Sequence, residues 1–250
     1  MLNYRRLALE CLLAFALTTL VALFFHRILL SREPLFGSDF VLQFYPWKTL
    51  IFDTLQGDGS LPFWNPYVLS GTPFIGNIQT SMFYPLGFLF YLIPADRAFG
   101  YTIMLHFVLG AVFMYVFARS IAIEKAGAFV ASILFTFNGF LVGHLYAGHL
   151  SFVQNYIWIP LVFLFFNKFV QTFNPLFALV SGLCLGVQIL GGFPQIAFYT
   201  IMAVLLFVVY HLVYALKKGQ RSNLLYLFYG TVLVIVVGFC LAAVQLFPTY

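Results

Sequence analysis

Seven stretches of the chain are almost wholly apolar: Leu7–Leu30, Ala98–Ile121, Ala126–Leu145, Ser151–Val170, Pro175–Leu190, Gln195–Leu216 and Leu224–Phe247. A bilayer crossing needs about 20 largely apolar residues, so these runs predict about seven transmembrane helices joined mostly by short turns. The first run is too long for the apolar core of a cleaved signal peptide and is not followed by a small-x-small site. One connection differs from the rest. The loop at about Ser31–Arg97 is long and rich in Phe, Tyr, Trp, Pro and Gly, which predicts ordered chain. Within it, Pro46–Gln56 sets Trp47, Leu50, Ile51 and Leu55 on one helical face and Lys48, Thr49, Asp53 and Gln56 on the other. That is the pattern of a helix lying on a membrane surface, with proline at its favoured first position. Gly57-Asp58-Gly59-Ser60 predicts a turn and Leu61–Gly76 ordered, irregular chain. Pro85–Pro94 is apolar but too short to cross, which predicts an interfacial or re-entrant piece. No internal repeat of the kind found in inverted-repeat transporters is visible.

Composition agrees with the pattern and narrows the class. Hydrophobic residues make up 63% of the 250 and charged residues 8%, against about 25% charged in a soluble domain, so there are too few charges to solvate a globular surface. The fold class expected is all-α integral membrane, one module over residues 1–250. The three cysteines, Cys11, Cys184 and Cys240, all lie in apolar runs and predict no disulfide framework or zinc cluster. A net charge of +5 would allow an acidic partner, but the basic residues fall between apolar runs, which marks topology and argues against nucleic acid. With the N-terminus in the cytoplasm, Arg5, Arg6, Arg119, Lys125, Lys168, Lys217, Lys218 and Arg221 all face that side. The outer side keeps Arg27, Arg32, Lys48 and Arg97 with Glu33, Asp39, Asp53, Asp58 and Asp96. Seven crossings then leave Tyr250 outside.

Candidate chemistry gathers on that outer side. Asp39, just beyond the first run, could take a proton from a hydroxyl nucleophile or hold a divalent cation against a phosphate; the alternative is a helix-capping or turn aspartate. Asp53 and Asp58 read as solvated, and Asp96 with Arg97 as an interfacial anchor. Glu10, near the inner end of the first run, is expected to snorkel towards the cytoplasm. His144 and His149 flank a short outer turn. Their spacing of five is not the i, i+4 pair of a helical zinc motif, which favours interfacial hydrogen bonding or contact with a phosphate or sugar over metal ligation. His26, His106 and His211 read as ordinary residues of the spans. Gln43, Trp64, Asn65, Asn77, Gln79, Gln154, Asn155 and Gln195 supply amides and aromatic faces that suit carbohydrate. Aromatic belts are also normal at an interface. There is no Gly-rich phosphate loop, GxSxG or CxxC.

Several blocks carry a family resemblance. Ser38-Asp39-Phe40, Gln43-Phe44-Tyr45-Pro46, Gly59-Ser60-Leu61-Pro62-Phe63-Trp64-Asn65-Pro66, Ser70-Gly71-Thr72-Pro73-Phe74 and Asn77-Ile78-Gln79-Thr80-Ser81-Met82-Phe83-Tyr84-Pro85 resemble the bacterial YfhO-type membrane proteins. So do Gly148-His149, Trp158-Ile159-Pro160-Leu161 and Gln245-Leu246-Phe247-Pro248-Thr249. Gly191-Gly192-Phe193-Pro194-Gln195 is similar to a further block, with Phe193 standing where the family has histidine. The resemblance implies a GT-C-like glycosyltransferase module that uses a polyprenyl-phosphate sugar on the outer face and an envelope polymer, lipid or protein as acceptor. Asp39 then falls where that superfamily carries an essential aspartate, and Gln43, Tyr45, Trp64, Asn65, Gln79, His144, His149 and Gln195 become substrate-binding candidates. A divalent cation is a possible cofactor that the sequence itself does not demonstrate. Chains of the family are commonly much longer, so these residues correspond to an N-terminal portion. Two other functions compete: a transporter or flippase of a lipid-linked intermediate, which predicts polar mid-bilayer positions and broken helices, and a non-catalytic envelope assembly protein.

Overall fold

The computed structural model describes residues 4–30, 35–219 and 222–249. Arg32, Glu33, Arg221 and Tyr250, which entered the topology expected above, lie outside the described residues. The chain divides into two compact units, residues 1–62 with 86–153 and residues 63–85 with 154–250.

The first unit is built around one long helix. Its elements are α1 (Tyr4–Phe24), α2 (His26–Leu30), a π-helical turn (Phe40–Phe44), α3 (Tyr45–Asp58), α4 (Leu89–Leu92), α5 (Ala95–Ser120), α6 (Lys125–Thr136) and α7 (Gly139–Ala147). Helix α5 packs against α1 and α6 and carries α2, α3 and α4 at its N-terminal end. Alanines at 111, 118 and 128 let α5 and α6 approach closely, with Leu17 and Tyr115 completing that core. At the other end, the Phe99 ring meets Phe40 and Phe90 edge-on, with centroids 5.3 and 4.9 Å away. Helix α3 covers the expected Pro46–Gln56 segment and ends at Gly59, whose φ of +67° suits a residue without Cβ. It does not begin at Pro46. The π-helical turn runs directly into it, and the N–H at Tyr45 reaches Phe40 O, five residues back. A widened turn relieves the clash that a proline ring makes with the preceding helical turn.

The faces of α3 are also re-phased. Lys48, expected among the polar positions, is only 1% exposed, and Ile51 is buried beside it, whereas Trp47 is half-buried. The Lys48 ammonium sits 4.7 Å from the centre of the Phe90 ring, and the long apolar stem makes such burial possible. Burial lowers its amine to about 7.

Helix α8 (Leu150–Tyr156) carries the chain into the second unit, which holds β1 (Trp64–Asn65), β2 (Thr72–Pro73), α9 (Ile159–Thr172), α10 (Pro175–Leu190), α11 (Pro194–Lys217) and α12 (Ser222–Thr249). The stretch expected to be irregular contains a short antiparallel pairing, Trp64 opposite Pro73 and Asn65 opposite Thr72. Helix α10 is central and packs most extensively on α12. A Cβ at Gly182 would lie 2.8 Å from Val234 O, and one at Gly186 would lie 2.7 Å from Leu241 Cβ, so this Gly-x3-Gly pair sets the helix separation.

Among the described residues, five helical stretches are long and apolar enough to cross a membrane: Ala95–Ser120, Lys125–Ala147, Leu150–Thr172, Pro194–Lys217 and Asn223–Thr249. The other two expected spans are apolar but shorter, Glu10–Phe24 and Pro175–Leu190. At 1.5 Å per residue, α10 reaches only about 24 Å, less than the roughly 30 Å hydrocarbon core. Two of the five stretches are interrupted. Asn138 closes the break between α6 and α7 by accepting from the Leu141 N–H at 2.8 Å and donating to Phe135 O at 2.6 Å. Between α8 and α9 the helix opens at Ile157–Trp158, just before Pro160, and side chains take the carbonyls freed there. The Tyr84 hydroxyl donates to Gln154 O at 3.2 Å and accepts from the Trp158 indole at 2.9 Å, while Gln188 Nε2 donates to Asn155 O at 3.1 Å. Exposed Phe198, Tyr199, Leu206, Phe228 and Phe247 give these helices apolar outer faces that suit lipid.

Candidate active site

The site begins with two backbone segments that touch. Helix α7 ends at Gly148, φ +94°, and the His149 N–H turns back to His144 O at 3.0 Å. This reverse bond over a left-handed glycine folds the second histidine onto the first. A spacing of five, unsuited to a helical pair, thereby brings Nδ1 of His144 within 2.6 Å of Nδ1 of His149. Phe152 stacks on the His144 ring at 3.7 Å between centroids and fixes its plane.

Against this turn lies the segment 37–40. A Cβ at Gly37 would stand 3.0 Å from Gly148 Cα, and one at Gly148 would stand 2.7 Å from the Phe40 backbone nitrogen. The approach is backbone to backbone and carries Asp39 with it. Asp39 Oδ2 lies 3.2 Å from His149 Nε2, with both side chains about one-third exposed. Ser38 Oγ is 3.4 Å from Asp39 Oδ1 and donates to Ala147 O at 3.2 Å. Asp39 occupies the position before the π-helical turn yet makes no side-chain capping bond, so its carboxylate is directed at His149 and not at the helix end.

The order of groups is therefore carboxylate, imidazole, imidazole. Only one proton fits between two ring nitrogens. When His149 is neutral and donates from Nε2 to Asp39, its Nδ1 accepts from His144. Such a chain keeps the Asp39 carboxylate aimed and partly open to solvent. Among the described residues no three His, Cys, Asp or Glu side chains are grouped to hold a metal ion.

The remaining candidates distribute between the units. In the first, Gln43 is half-buried in the π-helical turn. The Tyr45 ring packs 4.3 Å from Phe99, and burial raises its phenol to about 12. Asp53 and Asp58 are exposed. In the second, Trp64 is 55% exposed, and its indole covers Gly71 so closely that a Cβ there would lie 2.6 Å from the ring. One face is thus pinned and the other left available. Asn65 is buried and accepts from the Tyr67 N–H at 3.0 Å. Gln79 is half-buried beside Asn77, which accepts from its N–H at 3.1 Å, and Gln195 is exposed and donates to the Tyr199 hydroxyl at 2.6 Å. Gln154 and Asn155, grouped with the sugar-binding amides by sequence, are wholly buried at the α8–α9 break.

Fold and surface together define an all-α chain whose apolar helices belong in a bilayer. Comparison with protein-family models, with curated proteins and with solved structures gave no match.

Proposed function

We propose that the chain is a glycosyltransferase module of GT-C type, akin to the YfhO-type proteins its sequence blocks resemble. It would transfer a sugar from a polyprenyl phosphate to an envelope acceptor on the outer face. The observation that carries the reading is the Asp39–His149–His144 chain, a positioned carboxylate at the end of apolar helices. In the reaction the acceptor oxygen attacks the anomeric carbon and the bond from that carbon to the phosphate oxygen breaks. The polyprenyl phosphate leaves, and the hydroxyl proton passes to Asp39. His149 holds the carboxylate through Oδ2, and His144 fixes the tautomer of His149.

The test is transfer of label from a panel of polyprenyl-phosphate sugars to envelope acceptors by the protein in proteoliposomes. Wild type transfers from at least one donor; Asp39→Asn, unfolding at the same temperature, loses about 10²–10⁴-fold in rate. No transfer from any donor, or full activity in Asp39→Asn, rejects the proposal.

A second reading, flipping of a lipid-linked intermediate, draws on the breaks at Phe137–Asn138 and Ile157–Trp158. The backbone groups named at both breaks are taken by protein side chains, which favours a structural role for them. Donor-lipid translocation without sugar transfer would reverse that preference.

A further inference from the structure

About 30 Å along α5 from Phe99, three helices bring another group of side chains together. The Glu10 carboxylate lies 3.3 Å from Lys125 Nζ and 3.7 Å from Arg119 Nε and accepts a hydrogen bond from the Tyr115 hydroxyl. Glu10 is thus a partnered residue, not one reaching alone for solvent. Arg119 Nη1 also donates to Ile123 O at 2.7 Å, which holds the guanidinium at the helix end.

Beside this group opens a groove of about 470 Å³ between α1 and α5. Ala14, Leu17, Val112 and Val116 line its length, with Glu10, Tyr115 and Arg119 at its charged end. The closer partner of Glu10 is Lys125, which is outside the lining, so the cation facing the groove is Arg119. Its side chain is 35% exposed. A hydrocarbon-lined slot along two apolar helices has room for one acyl chain, and Arg119 and Lys125 around the single carboxylate of Glu10 leave its charged end net positive. Guanidinium pairs with phosphate through two donors, and basic residues at helix ends attract anionic lipid headgroups.

We propose that this groove binds one anionic phospholipid of the surrounding leaflet, its phosphate on Arg119 and one acyl chain along Ala14, Val112 and Val116. The site is independent of the glycosyltransferase reading and of the orientation in the membrane.

Cys11 lines the groove and is exposed, whereas Cys184 is buried. With Cys240→Ser in place, Cys11 alkylation by N-ethylmaleimide therefore reports occupancy. The full chain is titrated in mixed micelles with phosphatidylglycerol or phosphatidylcholine. Phosphatidylglycerol is expected to slow alkylation saturably and phosphatidylcholine to leave it unchanged. Arg119→Gln should need about fivefold more phosphatidylglycerol for half-protection. Glu10→Gln, which removes the opposing carboxylate, should need less than wild type. In wild type, about 1 M salt, with a Debye length near 3 Å, should weaken protection, which provides a reading even if a variant fails to fold. Equal protection by both lipids, protection by neither, or a half-point unmoved by Arg119→Gln and by salt overturns the assignment.

Discussion

At the scale of single residues, the difference between Asp39 and Lys48 is instructive. Asp39 was legible because a carboxylate beside an apolar run is costly and demands a reason; its partner was not, because His149 lies 110 positions away. Lys48 was misplaced for a different cause. A helical wheel sorts residues by polarity, whereas the Lys48 stem packs as hydrocarbon and its ammonium finds Phe90. The burial has a titration consequence. The amine stands at about 7 in the fold against 10.5 ordinarily, so between those values the unfolded chain holds the extra proton. Stability must then rise with pH through that interval, by up to about 1.4 kcal/mol per pH unit, and the penalty is complete below 7. Thermal unfolding of the detergent-solubilised protein from pH 6.5 to 9.5 should show the rise. Lys48→Met should flatten it and stabilise the protein most at the acid end. A wild-type profile that is flat or falls with pH would contradict the burial.

At the scale of elements, most helices could be read from apolar periodicity, and their breaks could not. The stretch Ser151–Val170 reads as one span, yet it opens at Ile157–Trp158, where Tyr84 and Gln188 from distant parts of the chain take the Gln154 and Asn155 carbonyls. The His144–Gly148–His149 turn offered a local signal, a glycine just after a helical run, that would have placed the two histidines together. Its geometry makes Gly148→Ala informative. The alanine meets both an unfavourable φ of +94° and the Phe40 backbone at 2.7 Å, and backbone cannot yield as a flexible side chain does. A loss of about 1–3 kcal/mol in stability is expected, with the proposed sugar transfer falling further as Asp39 is pushed from His149. Gly139→Ala, where a Cβ meets nothing within 4 Å, should stay within about 0.5 kcal/mol. Equal effects from the two would show that the approach of 37–40 to Gly148 is not tight.

At the scale of the whole molecule, composition announced an all-α membrane chain, and among the described residues five helical stretches have the length to cross. Among the described residues the runs at 7–30 and 175–190 hold shorter apolar stretches, Glu10–Phe24 and Pro175–Leu190. Helix α10 is bounded by Asn174, which caps it, and by the turn at Gly191 and Gly192. Charge bias gives the orientation to be tested. A cysteine replacing Asp58 in an otherwise cysteine-free chain should react with an impermeant maleimide from outside intact cells, and one replacing Gly219 only after permeabilisation. The reverse pattern would put Asp39 on the cytoplasmic side and remove the proposed donor from reach.

The contact between Gly37 and Gly148 also bears on how the chain is made. A nascent protein emerges at about 5–20 residues per second, so the segment bearing Asp39 enters the membrane on the order of 10 s before the turn that receives it. Phe40 can settle earlier, against Phe99 of α5. The aromatic contact thus forms a waiting position, and the carboxylate acquires its histidine only when α7 is inserted. A ribosome stalled before that point would leave a chain with its loop lodged and its chemistry unassembled.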